Sequence, residues 1–163
     1  MKTIFLLRHA KSSWKNLDIS DADRPLKSKG VSHAYFMAEK LKQEFTPELI
    51  FCSPAARAMH TASIFCRVVN FDYSALKIEP VLYHHSSIQE IVQILRELPS
   101  SVKSVALVGH NPSMHELYES LGDQELTNFS TGSLAKIEFD INSWEELPLK
   151  GKAIYFEDKS LLL

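Results

Sequence analysis

Helices on both faces of a mostly parallel central sheet, a three-layer α/β/α sandwich, is the fold class this sequence predicts. Two observations carry that reading. Short continuous apolar runs, such as Leu49-Ile50-Phe51-Cys52 and Val105-Ala106-Leu107-Val108, have the length and composition of strands buried on both faces. Between them lie longer stretches whose apolar residues return every three or four positions, the period of amphipathic helices. Strands that alternate with helices imply crossover connections and parallel pairing. The 163 residues suit one domain spanning 1–163. A chain of that size buries about 70% of its unfolded surface without disulfide or metal staples.

Taken in order, Thr3 to Leu7 reads as a first strand. Val31, Ala34, Ala38, Leu41 and Phe45 mark an amphipathic helix from about Gly30 to Phe45. Leu49 to Cys52 is the second strand. Ser53 and Pro54 then open a helix, Ser53 as its cap and Pro54 in its first turn, with Ala58, Met59, Ala62, Phe65 or Cys66, and Val69 as its apolar stripe. A less marked strand spans Lys77 to Leu82. Ile88, Ile91, Val92, Leu95 and Leu98 give a third helix ending before Pro99. Val105 to Val108 is a further strand, and Pro112 starts a short helix through Leu121. Ala135, Ile137 and Phe139 alternate with Lys136 and Glu138, the pattern of a half-exposed strand. Ala153 to Phe156 adds another, so the C-terminal edge of the sheet is expected to be more antiparallel.

Composition excludes several function classes. With 18 Lys plus Arg against 20 Asp plus Glu, the net charge of −2 gives no reason to expect nucleic acid or an acidic membrane as partner. Cys52 and Cys66 are the only cysteines, too few for a secreted disulfide scaffold, which points to a reduced, cytoplasmic protein. The run Ile4-Phe5-Leu6-Leu7 stops at Arg8-His9, short of the ~7–15 residues of a secretory signal core. No apolar run approaches the ~18 residues needed to span a bilayer.

In parallel sheets, ligands bind beyond the carboxyl ends of the strands. Arg8-His9, Ser53 to Arg57, and Gly109-His110-Asn111 all fall there. Singly, each allows an ordinary reading: a polar loop histidine, a surface arginine, a tight turn at Gly109. Arg57 opposes the dipole of the helix whose first turn it occupies, so it is a poor choice for stability alone and a suitable phosphate clamp. Two arginines and two histidines on one sheet edge, without a carboxylate pair, favour an anionic ligand over a metal. A neutral imidazole can attack phosphorus and form a phosphohistidine. Arg8 and Arg57 would hold the phosphoryl oxygens and offset their charge in the transition state. The same positive charge disfavours imidazolium and keeps His9 nucleophilic near neutral pH. His110 can donate a hydrogen bond to the same oxygens.

Four segments then carry a family resemblance. Leu6-Leu7-Arg8-His9-Ala10 is similar to an Arg-His-Gly signature, with Ala10 in place of the usual Gly. Arg24-Pro25-Leu26-Lys27-Ser28-Lys29-Gly30 is similar to Arg-Pro-Leu-Thr-x-x-Gly. Ser53-Pro54-Ala55-Ala56-Arg57-Ala58-Met59-His60-Thr61-Ala62 matches Ser-Pro-x-x-Arg-Ala-x-x-Thr-Ala, and Val108-Gly109-His110-Asn111-Pro112 matches Gly-His-Asn-Pro. In this order they resemble the histidine phosphatase superfamily (phosphoglycerate mutase-like), and within it the short SixA-type phosphohistidine phosphatases. The resemblance implies a phosphoglycerate mutase-like fold, with His9 as phosphorylated nucleophile, Arg8 and Arg57 as phosphate ligands, and His110 as second pocket histidine. Arg24 matches an arginine that reaches the phosphate; pairing with Asp18, Asp21 or Asp23 is its structural alternative. The function implied is a phosphatase without metal or cofactor, acting on a phosphorylated substrate, foremost phosphohistidine on a protein. A sugar or nucleotide phosphate, or a silent phosphate-binding module, are the alternatives.

The departure from the family is its acid. Other branches place a Glu in a Leu-x-Glu pattern after the third strand, where this chain has Leu82-Tyr83-His84. An alkoxide leaving a sugar phosphate needs a proton donor. Imidazole, whose second nitrogen has a pKa of about 6.5, can leave phosphohistidine neutral. The sequence therefore favours a phosphoramidate or another good leaving group, with His84 or His85 as candidate weak acids or as plain loop residues. Ser53 is read as a cap and not as part of the catalytic set. His33, His60 and His115 read as surface or boundary residues, and Asp18-x-x-Asp21-x-Asp23 as a solvated loop, not a calcium loop. Trp14 reads as a residue at the domain edge or on a substrate rim.

Overall fold

The computed structural model describes residues 1–83 and 87–162. Its strands are β1 (Lys2–Arg8), β2 (Leu49–Cys52), β3 (Leu76–Ile78), β4 (Ser104–Gly109), β5 (Leu134–Phe139) and β6 (Lys152–Phe156). The helices are α1 (Ser28–Leu41), α2 (Ala56–Val69), α3 (Ile88–Arg96) and α4 (Ser113–Leu121). One six-stranded sheet runs in the order β3-β2-β4-β1-β5-β6. β3, β2, β4 and β1 pair in parallel, while β5 runs antiparallel to both β1 and β6. The mostly parallel sheet with its antiparallel C-terminal edge is as the sequence predicts.

The continuous apolar runs have a direct cause. Ile4, Leu6, Val105 and Leu107 face one core, shared with α3 and α4. Phe5, Leu7, Ala106 and Val108 face the other, shared with α1 and α2. Successive side chains of a strand point to opposite faces, so a strand with helices on both sides must be apolar at every position. The three layers follow.

Several boundaries shift for local reasons. α1 starts at Ser28 and ends at Leu41, and Phe45 packs from the following turn, where its N–H donates to Leu41 O at 2.8 Å. The strand expected over Lys77 to Leu82 stops at Ile78. Pro80 has no N–H to continue a ladder, and Pro80–Leu82 instead form a 3-10 turn capped by the Glu79 side chain. α2 begins only at Ala56, and Ser53 makes no cap to it. Met59, placed in the buried stripe, is exposed, and Ile64 is buried in its stead. His33 corrects another expectation: it is buried, with Nε2 against the Asp158 carbonyl. His60 is exposed and His115 half-buried, as read. Among the described residues no helix is long and apolar enough to cross a membrane.

Register places three strand ends side by side. Arg8 pairs with Gly109, and Cys52 with Val108. The next residues continue the ladder: His9 N–H donates to Gly109 O at 3.0 Å and Ser53 N–H to Val108 O at 2.9 Å. His9, Ser53 and His110 thus leave the sheet together. Gly132, at φ +74°, closes over this edge and donates its N–H to the carbonyls of Arg8 and His9. A Cβ there would lie 2.6 Å from the His33 ring, so both the backbone angle and the space demand glycine.

Candidate active site

His9 lies at the exit of β1, 8% exposed. Its Nδ1 is 2.7 Å from the Ala10 carbonyl. A carbonyl can only accept, so Nδ1 carries the proton and Nε2 the lone pair. Burial, followed by the guanidinium charges of Arg57, Arg8 and Arg24, pushes the imidazole down to about 4 despite the Ala10 contact. The replacement of the usual glycine by Ala10 is accommodated inside the α1–α2 core, where Ala10 N–H donates to Thr61 Oγ1 at 3.0 Å. Thr61 Oγ1 in turn donates to the Arg57 carbonyl at 2.7 Å, which ties the start of α2 to the exit of β1.

His110 follows β4, its ring centroid 4.9 Å from that of His9. Its Nε2 is 2.8 Å from Ser53 Oγ, and Ser53 Oγ also accepts from Ala55 N–H at 3.2 Å. When the hydroxyl donates to Nε2, the neutral ring holds its proton on Nδ1, which is buried without a protein partner. Burial, then the proximity of His9 and Arg57, pushes His110 down to about 3. Both rings are neutral at pH 7.

Arg8 and Arg57 are anchored through their terminal nitrogens and leave Nε without a protein partner. Arg8 Nη1 donates to Phe129 O at 2.7 Å, and its Nε is buried with no protein partner. Arg57 donates from Nη1 to Asp21 O at 2.6 Å and from Nη2 to Asp21 Oδ2 at 3.0 Å, and its Nε is likewise unpartnered. Arg24 is engaged on every side: Ser13 O at 3.1 Å, Asp21 Oδ1 at 2.8 Å, Ser12 Oγ at 2.6 Å, with the exposed Trp14 ring stacked on its guanidinium. Of the two readings of Arg24, the carboxylate pairing is the one present here, and its partner is Asp21.

The sequence offers Asp21 only as one of three possible partners of Arg24. The fold makes it a hub that accepts from Arg24, Arg57 and the Tyr83 hydroxyl, the last at 2.9 Å. Partial burial pulls its carboxyl up, but the hydrogen bonds from Arg24, Tyr83 and Arg57 outweigh that and bring it to about 2. Ser53, expected as a helix cap, makes no cap and instead places its hydroxyl on His110. Its position at a strand exit, beside two others carrying histidines, was the available signal.

Asp21, Arg57, Tyr83 and His110 open on a cleft of about 320 Å³, closed by Leu82 and the Asn111–Ser113 turn. His84 and His85 lie outside the described residues. A larger cavity of about 630 Å³ between α3 and α4 holds no comparable constellation. Buried N–H groups left unpaired cost about 1–3 kcal/mol each. Three of them, on Arg8, Arg57 and His110, residues that act electrostatically on or stack near His9, suit an anion with several acceptor oxygens. Among the described residues no group of three His, Cys, Asp or Glu could hold a metal.

Two measurements follow from the lowered imidazoles. In ¹⁵N NMR, His9 is expected to show the Nδ1–H tautomer at pH 7 and no titration above about pH 5. A midpoint near the ordinary 6.5 would remove the electrostatic account. The sign of the stability effect is also fixed. Between about 6.5 and 4 the unfolded chain binds a proton at His9 that the folded state refuses, so acidification through that window lowers the melting temperature.

Residues 4–82 match the family described as Histidine phosphatase superfamily (branch 1). A crystal structure assigned as phosphohistidine phosphatase SixA from Agrobacterium tumefaciens is 30% identical, covers 84% of this chain and 91% of its own, and has a TM-score of 0.74. The structure of protein histidine phosphatase SixA complexed with tungstate is 25% identical, with 95% and 94% covered and a TM-score of 0.78. An uncharacterized chloroplastic protein of Arabidopsis thaliana is 29% identical over 153 residues, 89% of this chain and 70% of that one.

Proposed function

Because this chain belongs to the histidine phosphatase superfamily and shares its phosphoglycerate mutase-like fold, we propose that it is a metal-independent phosphatase that works through a phosphohistidine on His9 and acts on protein phosphohistidine in the cytoplasm. One observation carries the reading. A neutral imidazole, its proton fixed on Nδ1, lies 4.9 Å ring to ring from His110 and within the field of Arg57 and Arg8, and each of these three residues carries a buried nitrogen without a protein partner.

In the first step the Nε2 lone pair attacks phosphorus, and the bond from phosphorus to the substrate imidazole breaks. The departing ring takes that electron pair and leaves neutral, its second nitrogen protonated. Phospho-His9 keeps its Nδ1 proton against Ala10 O, which stabilises the cationic ring. Arg8, Arg57 and the His110 Nδ1–H hold the equatorial oxygens, and Arg24 supplies charge from behind Asp21. Water then attacks phosphorus, the electron pair returns to Nε2, and the water proton leaves on phosphate.

Asp21 favours a nitrogen leaving group. It is the carboxylate on this cleft among the described residues, and held to about 2 it is ionised at neutral pH and a poor proton donor. A second reading, hydrolysis of a sugar or nucleotide phosphate, takes His84 or a water as its proton source. Phosphate release is to be compared in EDTA for a phosphohistidine-bearing protein and for glucose 6-phosphate. The expected result is release from the first at a kcat/KM at least about 100-fold higher, unaffected by EDTA. Equal rates, with His84→Ala impairing only the sugar phosphate, would establish the second reading.

Ser53→Ala tests how the His110 ring is positioned. Loss of one hydrogen bond to a reacting group corresponds to about a 10- to 100-fold fall in kcat/KM. The ¹⁵N signature of His110 should change tautomer in parallel. An unchanged tautomer with unchanged rate would show that Ser53 only fills space.

A further inference from the structure

The chain has thirteen lysines, and seven of them are tied to carboxylates or backbone carbonyls. Among the described residues six have no such partner. Four of those six, Lys11, Lys15, Lys27 and Lys29, line one cleft of about 420 Å³. In a chain of net charge −2 that concentration is local, and among the described residues no ion pair offsets it.

The cleft is rigid. Its two walls are pinned by Ser13 N–H to Pro25 O at 2.8 Å and Lys27 N–H to Lys11 O at 2.9 Å, with Ser12 bridged to Leu26. Gly30 comes so close to Lys11 O that a Cβ would stand 2.2 Å away. Both walls start at the site described above: one continues from His9 and Ala10, the other from Arg24. The first wall also carries Trp14 and Leu17, 64% and 84% exposed. Of the acidic residues on the intervening loop, Asp21 is engaged by three donors and Asp23 accepts from Ser20, leaving Asp18.

We infer that this lysine-lined cleft docks a protein substrate through the carboxylate-rich surface around its phosphohistidine. The inference rests on the phosphohistidine reading and names the partner chemistry of the same site. Four unneutralised ammonium groups attract an acidic face and raise its association rate, while Trp14 and Leu17 offer apolar contact at the rim. A free phosphohistidine, which reaches only the catalytic cleft, gains nothing from them.

The test compares wild type with the combined variant Lys11→Gln, Lys15→Gln, Lys27→Gln, Lys29→Gln on two substrates. One is a synthetic peptide with phosphohistidine flanked by four glutamates; the other is free phosphohistidine. The expected result at low salt is a fall of about 10- to 100-fold in kcat/KM on the peptide, through KM, with free phosphohistidine unchanged within about twofold. Salt near 0.5 M should weaken the wild type on the peptide in the same way, since about that ionic strength screens exposed charges. An unimpaired variant, or equal losses on both substrates, overturns the docking surface. Should wild type release phosphate from neither, the phosphatase reading falls by itself. Docking is then decided by Trp14 fluorescence with the unphosphorylated peptide: saturable binding lost in the variant supports it, and no binding overturns it. Equally tight binding of a single-stranded RNA of the same charge overturns the assignment to an acidic protein.

Discussion

His9→Ala is expected to lower turnover by at least about 10,000-fold, the scale of losing a covalent nucleophile, and to remove the acid-labile phosphoenzyme that wild type is expected to form with labelled substrate. The fold should persist. The backbone of His9 is held by its N–H to Gly109 O and by its carbonyl to Gly132 N–H, neither of which uses the ring. The ring's own hydrogen bond reaches only the neighbouring Ala10. Added imidazole, entering the space left beside Arg8, Arg57 and His110, should restore part of the rate, as a structural role for His9 would not allow. Retention of the phosphoenzyme in the variant would place the nucleophile elsewhere.

Arg57→Ala is expected to cost about 1,000-fold in kcat/KM, in the range of one lost oxyanion donor combined with a phosphate-clamping arginine. Two effects add. The guanidinium disappears from the transferring phosphoryl group, and the charge nearest in effect to His9 after burial is gone, so the His9 imidazole titrates closer to its ordinary value. The loss should therefore deepen as pH falls from 7 to 5. Arg57→Lys keeps the charge and loses the planar fork, and should fall between the two. Asp21 retains Arg24 and Tyr83, so the loop stays tied. Loss of less than about tenfold would remove Arg57 from the phosphate site.

What the sequence made legible follows from where its signals act. The strands around the site are short apolar runs because both faces are buried, so the exits carrying Arg8-His9, Ser53 and His110 can be found by reading where the run stops. Their adjacency depends on the order β2-β4-β1, in which the fourth strand enters between the first two; no local pattern encodes that. Ser53 was misread because serine before proline is an ordinary helix start, and only the sheet register brings its hydroxyl to His110. Asp21 was one of three loop aspartates, and its selection depends on Arg57 reaching back across thirty-six residues of chain. The strand end at Ile78 and the exposure of Met59 were settled by Pro80 and by neighbouring packing.

β1 lies between β4 and β5, hydrogen-bonded on both edges over its whole length. Its amides can exchange with solvent only when the sheet comes apart, at close to the full free energy of unfolding. The loop bearing Asp21 is held by side-chain hydrogen bonds instead, and can open at a fraction of that cost on its own timescale. His9, the proposed nucleophile, thus follows directly on a strand in the interior of the sheet, while the loop that bears Asp21 can yield. On the proposed mechanism the reacting atom then keeps its place from one turnover to the next, and the accommodation of successive substrates falls to the loop.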